Sequence, residues 1–481
     1  MKKQTSWEII YNEYKGITKK AVDFLNKEAS RFLIREAGIY TLHVLPCFRE
    51  GKRITENAFI VGVYGKSEEI RRYVTPEEVK NGYLIKIVEN PVAPGGRLVI
   101  LTSEEAIGVY YACVDFFDVF VPEFSPFRGE AMQVPENFFD ETLPTVSRFS
   151  PLPRVARSIF TWGHVINDYR EYIDNIARLK YDRLIIWNDR LPINSEDVVS
   201  YAHEYGMKLI WGFAWGWSTE ISSMTDLGDG YLDGLKKQII GEYEEYYAPS
   251  GCDGIYFQSF TEINRERIGG RLIAEAVTKL VNDVTRELLG RHPKLTVQFG
   301  LHAMSVRNQL EYIANVDERV EILWEDGGDF PFAYRAHIKS EESFAETLAF
   351  LGKILSLRQS APTGVVIKGM TVLDWTRFVH QAGPYVLGCN DRSVTENDKK
   401  LRYGARRLFN AEWTVNGRYA YEFVKYAFDN SACPLEFCVA ASLDGGIRFP
   451  EALCAEMFCN ADREYDEIVR LTAAKPCLTF E

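Results

Sequence analysis

From about residue 154 the chain alternates between short apolar, strand-like runs and longer amphipathic segments, and this alternation restricts the folds open to it. The strand-like runs fall at 155–161, 183–187, 208–213, 254–259, 295–301, 320–324, 364–369 and 385–388, and most are rich in β-branched and aromatic residues. Between them lie segments 168–179, 196–205, 229–247, 270–290, 306–314, 341–359 and 374–382, followed by a helix at 395–409, with apolar residues recurring at helical spacing. Parallel strands must be joined by crossovers, and helices are the usual crossover. Eight strand-then-helix repeats in about 250 residues predict an α/β fold of the (β/α)₈ TIM barrel type over 154–410. A doubly wound sheet is the competing arrangement, but no G-x-G-x-x-G follows the first strand.

The preceding segment reads as a smaller N-terminal α/β domain over 1–125. A helix is expected at 6–30, where Ile9, Ile10, Tyr14, Ile17, Ala21 and Phe24 keep helical spacing. Strands are expected at 40–45, 58–63, 83–88 and 97–101, and Ser103 is placed to cap a helix running to about 120. Residues 126–153 read as a linker, and 411–481 as a mostly helical extension.

Composition narrows the partners. The formal charge of −12 over 481 residues, without a long Lys/Arg run, argues against nucleic acid. Met1-Lys2-Lys3 leads into no apolar stretch, so no secretory signal is expected. No run of about 20 apolar residues is present, so no membrane is expected as partner. Nine scattered cysteines fit a reducing cytoplasm. Cys433/Cys438 and Cys454/Cys459 share C-x₄-C spacing, but residues five apart on a helix lie on different faces, so buried free thiols are expected rather than a metal site. No cofactor is expected.

In such barrels chemistry sits at the C-terminal ends of the strands. Reading off those ends gives His164 after the first strand, with Arg157 inside it. Asn188 and Asp189 follow the second, Trp215 and Trp217 the third, and Gln258 and Glu262 the fourth. His302 follows the fifth, Trp324, Glu325 and Asp326 the sixth, Trp375 the seventh and Asn390 the eighth. Carboxylates and amides pair with hydroxyls, and indoles cover the apolar face of a pyranose, so the set suits a carbohydrate. Metal-ligand clustering and a G-x-S-x-G elbow are both missing from the sequence.

Breaking a glycosidic bond needs two carboxyl groups, one protonated and one acting as base or nucleophile. Glu262 is the expected acid, because it ends an apolar strand beside Phe257 and Phe260, where desolvation raises a carboxyl pKa. Its partner is Glu325 or Asp326, two strands away, and adjacent residues point to opposite sides, which leaves the choice between them open. Each candidate also has a structural reading: Glu262 as a helix cap or partner of Arg265 or Arg267, Trp215 and Trp217 as packing, His302 and Arg157 as structural groups.

Gly82-Tyr83-Leu84-Ile85-Lys86-Ile87, the turn and strand Gly95-Gly96-Arg97-Leu98-Val99-Ile100, and Glu105-Ala106-Ile107-Gly108-Val109-Tyr110-Tyr111-Ala112 resemble the N-terminal domain shared by family 67 α-glucuronidases and family 20 β-N-acetylhexosaminidases. That domain precedes a (β/α)₈ catalytic barrel. Pro153-Arg154-Val155-Ala156-Arg157-Ser158 is similar to the first strand of family 20, which implies a sugar-binding role for Arg157. In both families the acid is a Glu ending the fourth strand, which implies Glu262. Family 20 places an Asp before that Glu, whereas Thr261 stands here. The resemblance implies a glycoside hydrolase of a divergent branch, exo-acting on short oligosaccharides or glycoconjugates. A hexosaminidase- or sialidase-like hydrolase, a non-catalytic carbohydrate-binding protein and a barrel lyase or isomerase using Lys368 are the alternatives. A homodimer through the C-terminal helices is compatible with the pattern.

Overall fold

A computed structural model describes residues 7–33, 42–46, 57–124, 143–215, 224–328, 343–370 and 378–479. The chain forms two compact units: residues 1–153 with 204–206 and 473–477, and the remainder.

The first unit is built on a six-stranded sheet comprising β1 (Trp7–Tyr11), β2 (Leu42–Pro46), β3 (Asn57–Val63), β4 (Gly82–Glu89), β5 (Arg97–Ser103) and β6 (Val146–Pro151), in the order β2-β1-β3-β5-β4-β6. Strand β4 runs antiparallel to both its neighbours, and the other pairings are parallel. One sheet face carries Ala58, Ile60, Leu84, Leu98 and Ile100 into a core with Ile70 and Val79. The helices Gly16–Leu33 and Ala106–Asp115 pack against each other, with Phe24 meeting Tyr110 and Phe117 edge-on. Two expectations are corrected here. Trp7–Tyr11 is a strand rather than the start of a helix, because Trp7 and Ile9 are buried by pairing with two distant strands. Part of the segment read as linker is strand β6, whose hydrogen-bond partner is β4.

The second unit is a closed eight-stranded parallel barrel surrounded by helices. Its first four strands are β7 (Ala156–Trp162), β8 (Arg183–Trp187), β9 (Lys208–Ala214) and β10 (Gly254–Gln258). A two-stranded ribbon, β11 (Arg267–Ile268) with β12 (Arg271–Leu272), lies in the loop after β10. The barrel then continues through β13 (Thr296–Leu301), β14 (Val320–Trp324), β15 (Thr363–Ile367) and β16 (Leu435–Ala440). The eighth strand is therefore not at 385–388, and the barrel does not end at 410. Residues 385–388 lie in a loop, the helix expected at 395–409 runs Arg392–Asn416, and β16 closes the ring against β15 and β7. No helix covers the described part of 374–382.

Alternation along the strands sorts the lumen into layers. The N-terminal layer is polar: the Arg183 guanidinium reaches Glu321 at 2.5 Å and Glu436 at 2.7 Å, and the Gln298 amide donates to both carboxylates at 2.9 Å. Burial pushes Glu436 up to about 7, against the pull of Arg183. Above it Phe160, Ile185, Ile210, Tyr256, Leu323, Val366 and Cys438 form an apolar plug, with Trp162, Trp187 and Ala440 at its upper edge. Gly212 has no side chain because a Cβ there would meet the Trp187 ring at 2.9 Å.

Candidate active site

Two-residue periodicity decides which groups enter the mouth. In β14, Glu321 and Leu323 face the lumen, so Glu325 faces it too, while Trp324 points outward and packs against Phe350 and Phe423. The Glu325 amide donates to Leu301 O at 3.1 Å, which continues the β13–β14 ladder one residue past the strand and holds the carboxylate in place. By the same rule Val366 carries Lys368 inward on β15, and Tyr256 carries Gln258 inward on β10.

These residues form one cluster. The Tyr256 hydroxyl donates to Glu325 Oε1 at 2.5 Å, from one layer below. Lys368 Nζ lies 3.0 Å from Glu325 Oε2, and His302 Nε2 lies 3.3 Å from that oxygen. The other ring nitrogen of His302, Nδ1, sits 2.9 Å from Asp326 Oδ1, and Asp326 Oδ2 accepts from the Ala303 amide. Glu262, in the loop after β10, brings Oε2 to 3.8 Å from His302 Nε2. Glu262 Oε2 and Glu325 Oε2 both approach that single nitrogen, so they are no more than about 7 Å apart, below the upper limit for glycosidic carboxyl pairs. The side chains of Glu325 and Asp326 are buried, whereas that of Glu262 is 36% exposed. The enclosed setting expected for Glu262 is thus found around Glu325 instead.

The charges of the cluster sustain one another. Burial alone would lower the His302 pKa, but the carboxylates Glu325 and Asp326 outweigh it and raise the imidazole to about 10. Burial opposes ionisation of Glu325 as well, yet Lys368 and His302 hold it well below the usual carboxylate range. Lys368 stays above its ordinary value, because Glu325 and Asp326 overcome its desolvation. At neutral pH Glu325 is an anion flanked by two cations.

Four strands round the ring from β14, the β8 side presents a different surface. Phe378 packs on Trp187 with centroids 5.6 Å apart and meets the rings of His164 and His380 edge-on. Asp189 accepts from the Gln381 amide at 2.8 Å and lies 3.0 Å from His380 Nδ1. Asn188 is buried, and its Nδ2 has no hydrogen-bond partner among the described residues, which leaves a donor for a ligand oxygen. Gly163 makes room for that amide, since a Cβ there would overlap it.

The remaining expected residues lie elsewhere. Arg157 is the second residue of β7, at the end remote from the mouth, where it donates to Lys180 O and Val155 O and pairs with Asp182 at 3.1 Å. Trp215 is fully buried against Phe257, and Trp324 packs outside the barrel wall, so neither offers a face to a ligand. Asn390 is exposed and donates to Asn167 rather than ending a strand. Trp217 and Trp375 lie outside the described residues. Sequence reasoning passed over Tyr256 and Trp187 as site-lining residues, and weighed Lys368 as the base of a lyase or isomerase rather than as the partner of Glu325. The signal for them was the step of two from residues already known to face inward.

By sequence the chain matches no protein-family model and no curated protein. By fold it is similar to many solved structures, which include the following two. One is a GH138 enzyme targeting pectin rhamnogalacturonan II, with a TM-score of 0.51, 10% identity, and 96% of this chain matched to 65% of that one. The other is a family GH115 4-O-methyl-α-glucuronidase with specificity for decorated arabinogalactans, with a TM-score of 0.50, 12% identity, and 98% of this chain matched to 58% of that one. The chain spans less than two thirds of the length of either, and what it shares with both is the fold.

Proposed function

We propose that the protein is a glycoside hydrolase, exo-acting on short oligosaccharides or glycoconjugates, with Glu262 as general acid and Glu325 as the partner carboxylate. The observation that carries this reading is the convergence of Glu262 and Glu325 on His302 Nε2 at the barrel mouth. Glu262 is open to solvent, from which it can be reprotonated, and it would donate to the leaving oxygen as the glycosidic bond breaks. Glu325, kept ionised by Lys368 and His302, would face the positive charge that develops on the sugar and act as base or nucleophile. Asp326 would hold the His302 ring rather than react. His164, Asn188, Asp189 and Gln258 would bind hydroxyls, and Trp187 with Phe378 would supply the apolar wall. The two fold neighbours are named for carbohydrate substrates, which agrees with this class. Cys113, Cys433, Cys438 and Cys454 are buried thiols, which fits a reducing, cytoplasmic setting.

One observation favours a binding protein as second reading: both oxygens of Glu325 are already engaged, by Tyr256 on one side and Lys368 with His302 on the other. A panel of aryl glycosides, including α-glucuronide, β-N-acetylglucosaminide, sialoside, and common hexosides and pentosides, separates the two. Hydrolysis of one member by the wild type and its loss in Glu262→Gln supports the hydrolase. Binding of oligosaccharides without turnover, unchanged in Glu262→Gln, supports the binding protein. The glycoside that is cleaved also distinguishes a glucuronidase-like from a hexosaminidase- or sialidase-like enzyme.

A further inference from the structure

The helix Arg392–Asn416 carries an apolar stripe that the described residues of the second unit leave exposed. Val394 is 44% exposed, Leu401 80%, Leu408 55% and Val415 75%. These four residues stand seven apart. The positions three residues after each of the first three are Asn397, Gly404 and Ala411, all exposed as well. Together they form an unbroken a/d seam of a heptad repeat, with Val, Leu, Leu and Val at a and Asn, Gly and Ala at d. A helix that only covers a barrel presents its apolar residues inward, as Trp413 does here, and has no need of a second stripe facing water.

A seam with a seven-residue period fits another helix with the same period, and the flanking charges indicate which helix and which direction. The g positions of the first two heptads are Lys400 and Arg407, and the e positions of the first and third are Asp398 and Glu412. In an antiparallel self-pair, g faces g and e faces e, so Lys400 would meet Arg407 of the other copy, like against like, whereas Asp398 is turned to Arg402 and Arg406 of its own chain and takes no part. In a parallel self-pair each g faces the e five residues on in the other copy, so Arg407 meets Glu412 twice about the two-fold axis. Gly404 and Ala411 would let the two helices approach closely in such a pair, and Asn397 at d would face its own copy across the axis.

We infer that the helix Arg392–Asn416 is the interface of a homodimer, pairing in parallel with the same helix of a second copy. The three-heptad seam is short, so the dimer exchanges with monomer as concentration changes.

Sedimentation of the full chain across a hundredfold range of concentration tests this. The expected result is a rise from the monomer mass of 55.1 kDa to a dimer of about twice that, abolished in Leu401→Asp with Leu408→Asp. These side chains are exposed, so the variant keeps its fold, which circular dichroism checks. Arg407→Glu and Glu412→Arg are each expected to weaken the dimer, and the double charge exchange to restore it. A chain that stays monomeric throughout, or a dimer indifferent to the Leu401 and Leu408 changes, overturns the interface. A dimer strengthened by Arg407→Glu alone overturns the parallel direction.

Discussion

His302 is fixed against Asp326, Nδ1 to Oδ1 at 2.9 Å, and this contact sets what the ring presents to the lumen. With Nδ1 committed to a buried anion, Nε2 is left to face Glu325 and Glu262 together. The ring is a buried cation between three carboxylates, and it links the two residues proposed to act on the bond.

If Glu262 protonates the leaving group, Glu262→Gln lowers kcat/KM by about 10²–10⁴-fold on glycosides with poor leaving groups, and by much less where the leaving group needs no proton. Rates measured across aryl glycosides of graded leaving-group pKa check this. An equal loss on all of them removes the acid assignment.

The pKa shifts predict a stability profile with two limbs. Glu325 is depressed, so its contribution is complete above its unfolded value of about 4.3 and is lost as the pH falls through the lower folded value. His302 is raised, so its contribution is complete below about 6.5 and is lost as the pH rises through about 10. Thermal melts from pH 3 to 11 are expected to show the alkaline limb in the wild type and a weaker one in His302→Gln. Coincident alkaline limbs would show that His302 does not carry the charge assigned to it.

Lys368→Met leaves the buried Glu325 with one cation in place of two. Breaking a buried pair on one side costs about 3–5 kcal/mol, and Glu325 then titrates at higher pH. Denaturant unfolding is expected to show that loss, and the same change made in Glu325→Gln to cost far less. Additive losses would mean that Lys368 and Glu325 do not depend on each other.

Gly300→Ala tests the fit of the cluster. A Cβ at residue 300 would come within 2.5 Å of Glu325 Oε1 and closer still to the Tyr256 hydroxyl, so that contact must part. A destabilisation of about 1–3 kcal/mol and a loss of turnover are expected. Tyr256→Phe keeps the ring and removes only the hydroxyl donated to Glu325, so it should reproduce much of the turnover loss with less strain. Full activity in both variants would detach Tyr256 from the site.

How much of this was legible in the sequence depended on where the cause of each feature lay. The runs 183–187 and 320–324 are largely apolar, and both became strands with those bounds. The last barrel strand went unread because the run at 385–388 had already filled the count of eight, although Leu435–Ala440, like 320–324 with its Glu321, is a short apolar run that carries one carboxylate, Glu436. That carboxylate makes sense only opposite Arg183, which lies about 250 residues earlier in sequence and is reached only when a sheet closes into a barrel. Residues 385–388 imitated the missing strand with an apolar run of similar length. Arg157 looked like a ligand group by resemblance, but its place as second residue of β7 puts it at the wrong end of the barrel. The choice between Glu325 and Asp326 could not be made from adjacency. It follows once Glu321 is known to face the lumen, which only its contacts with Arg183 and Gln298 reveal.

The late arrival of β16 also affects how the chain is made. The seam that shuts the ring joins Glu436 to Ala156 across about 280 residues, the kind of long-range pairing that folds slowly. On a ribosome, every residue of the carboxylate cluster has emerged well before the strand that closes the wall around it. Until Leu435–Ala440 appears, β15 and β7 are two open parallel edges, each able to recruit a strand from another nascent chain. Synthesis past residue 440 is therefore the point at which this polypeptide becomes safe from its neighbours.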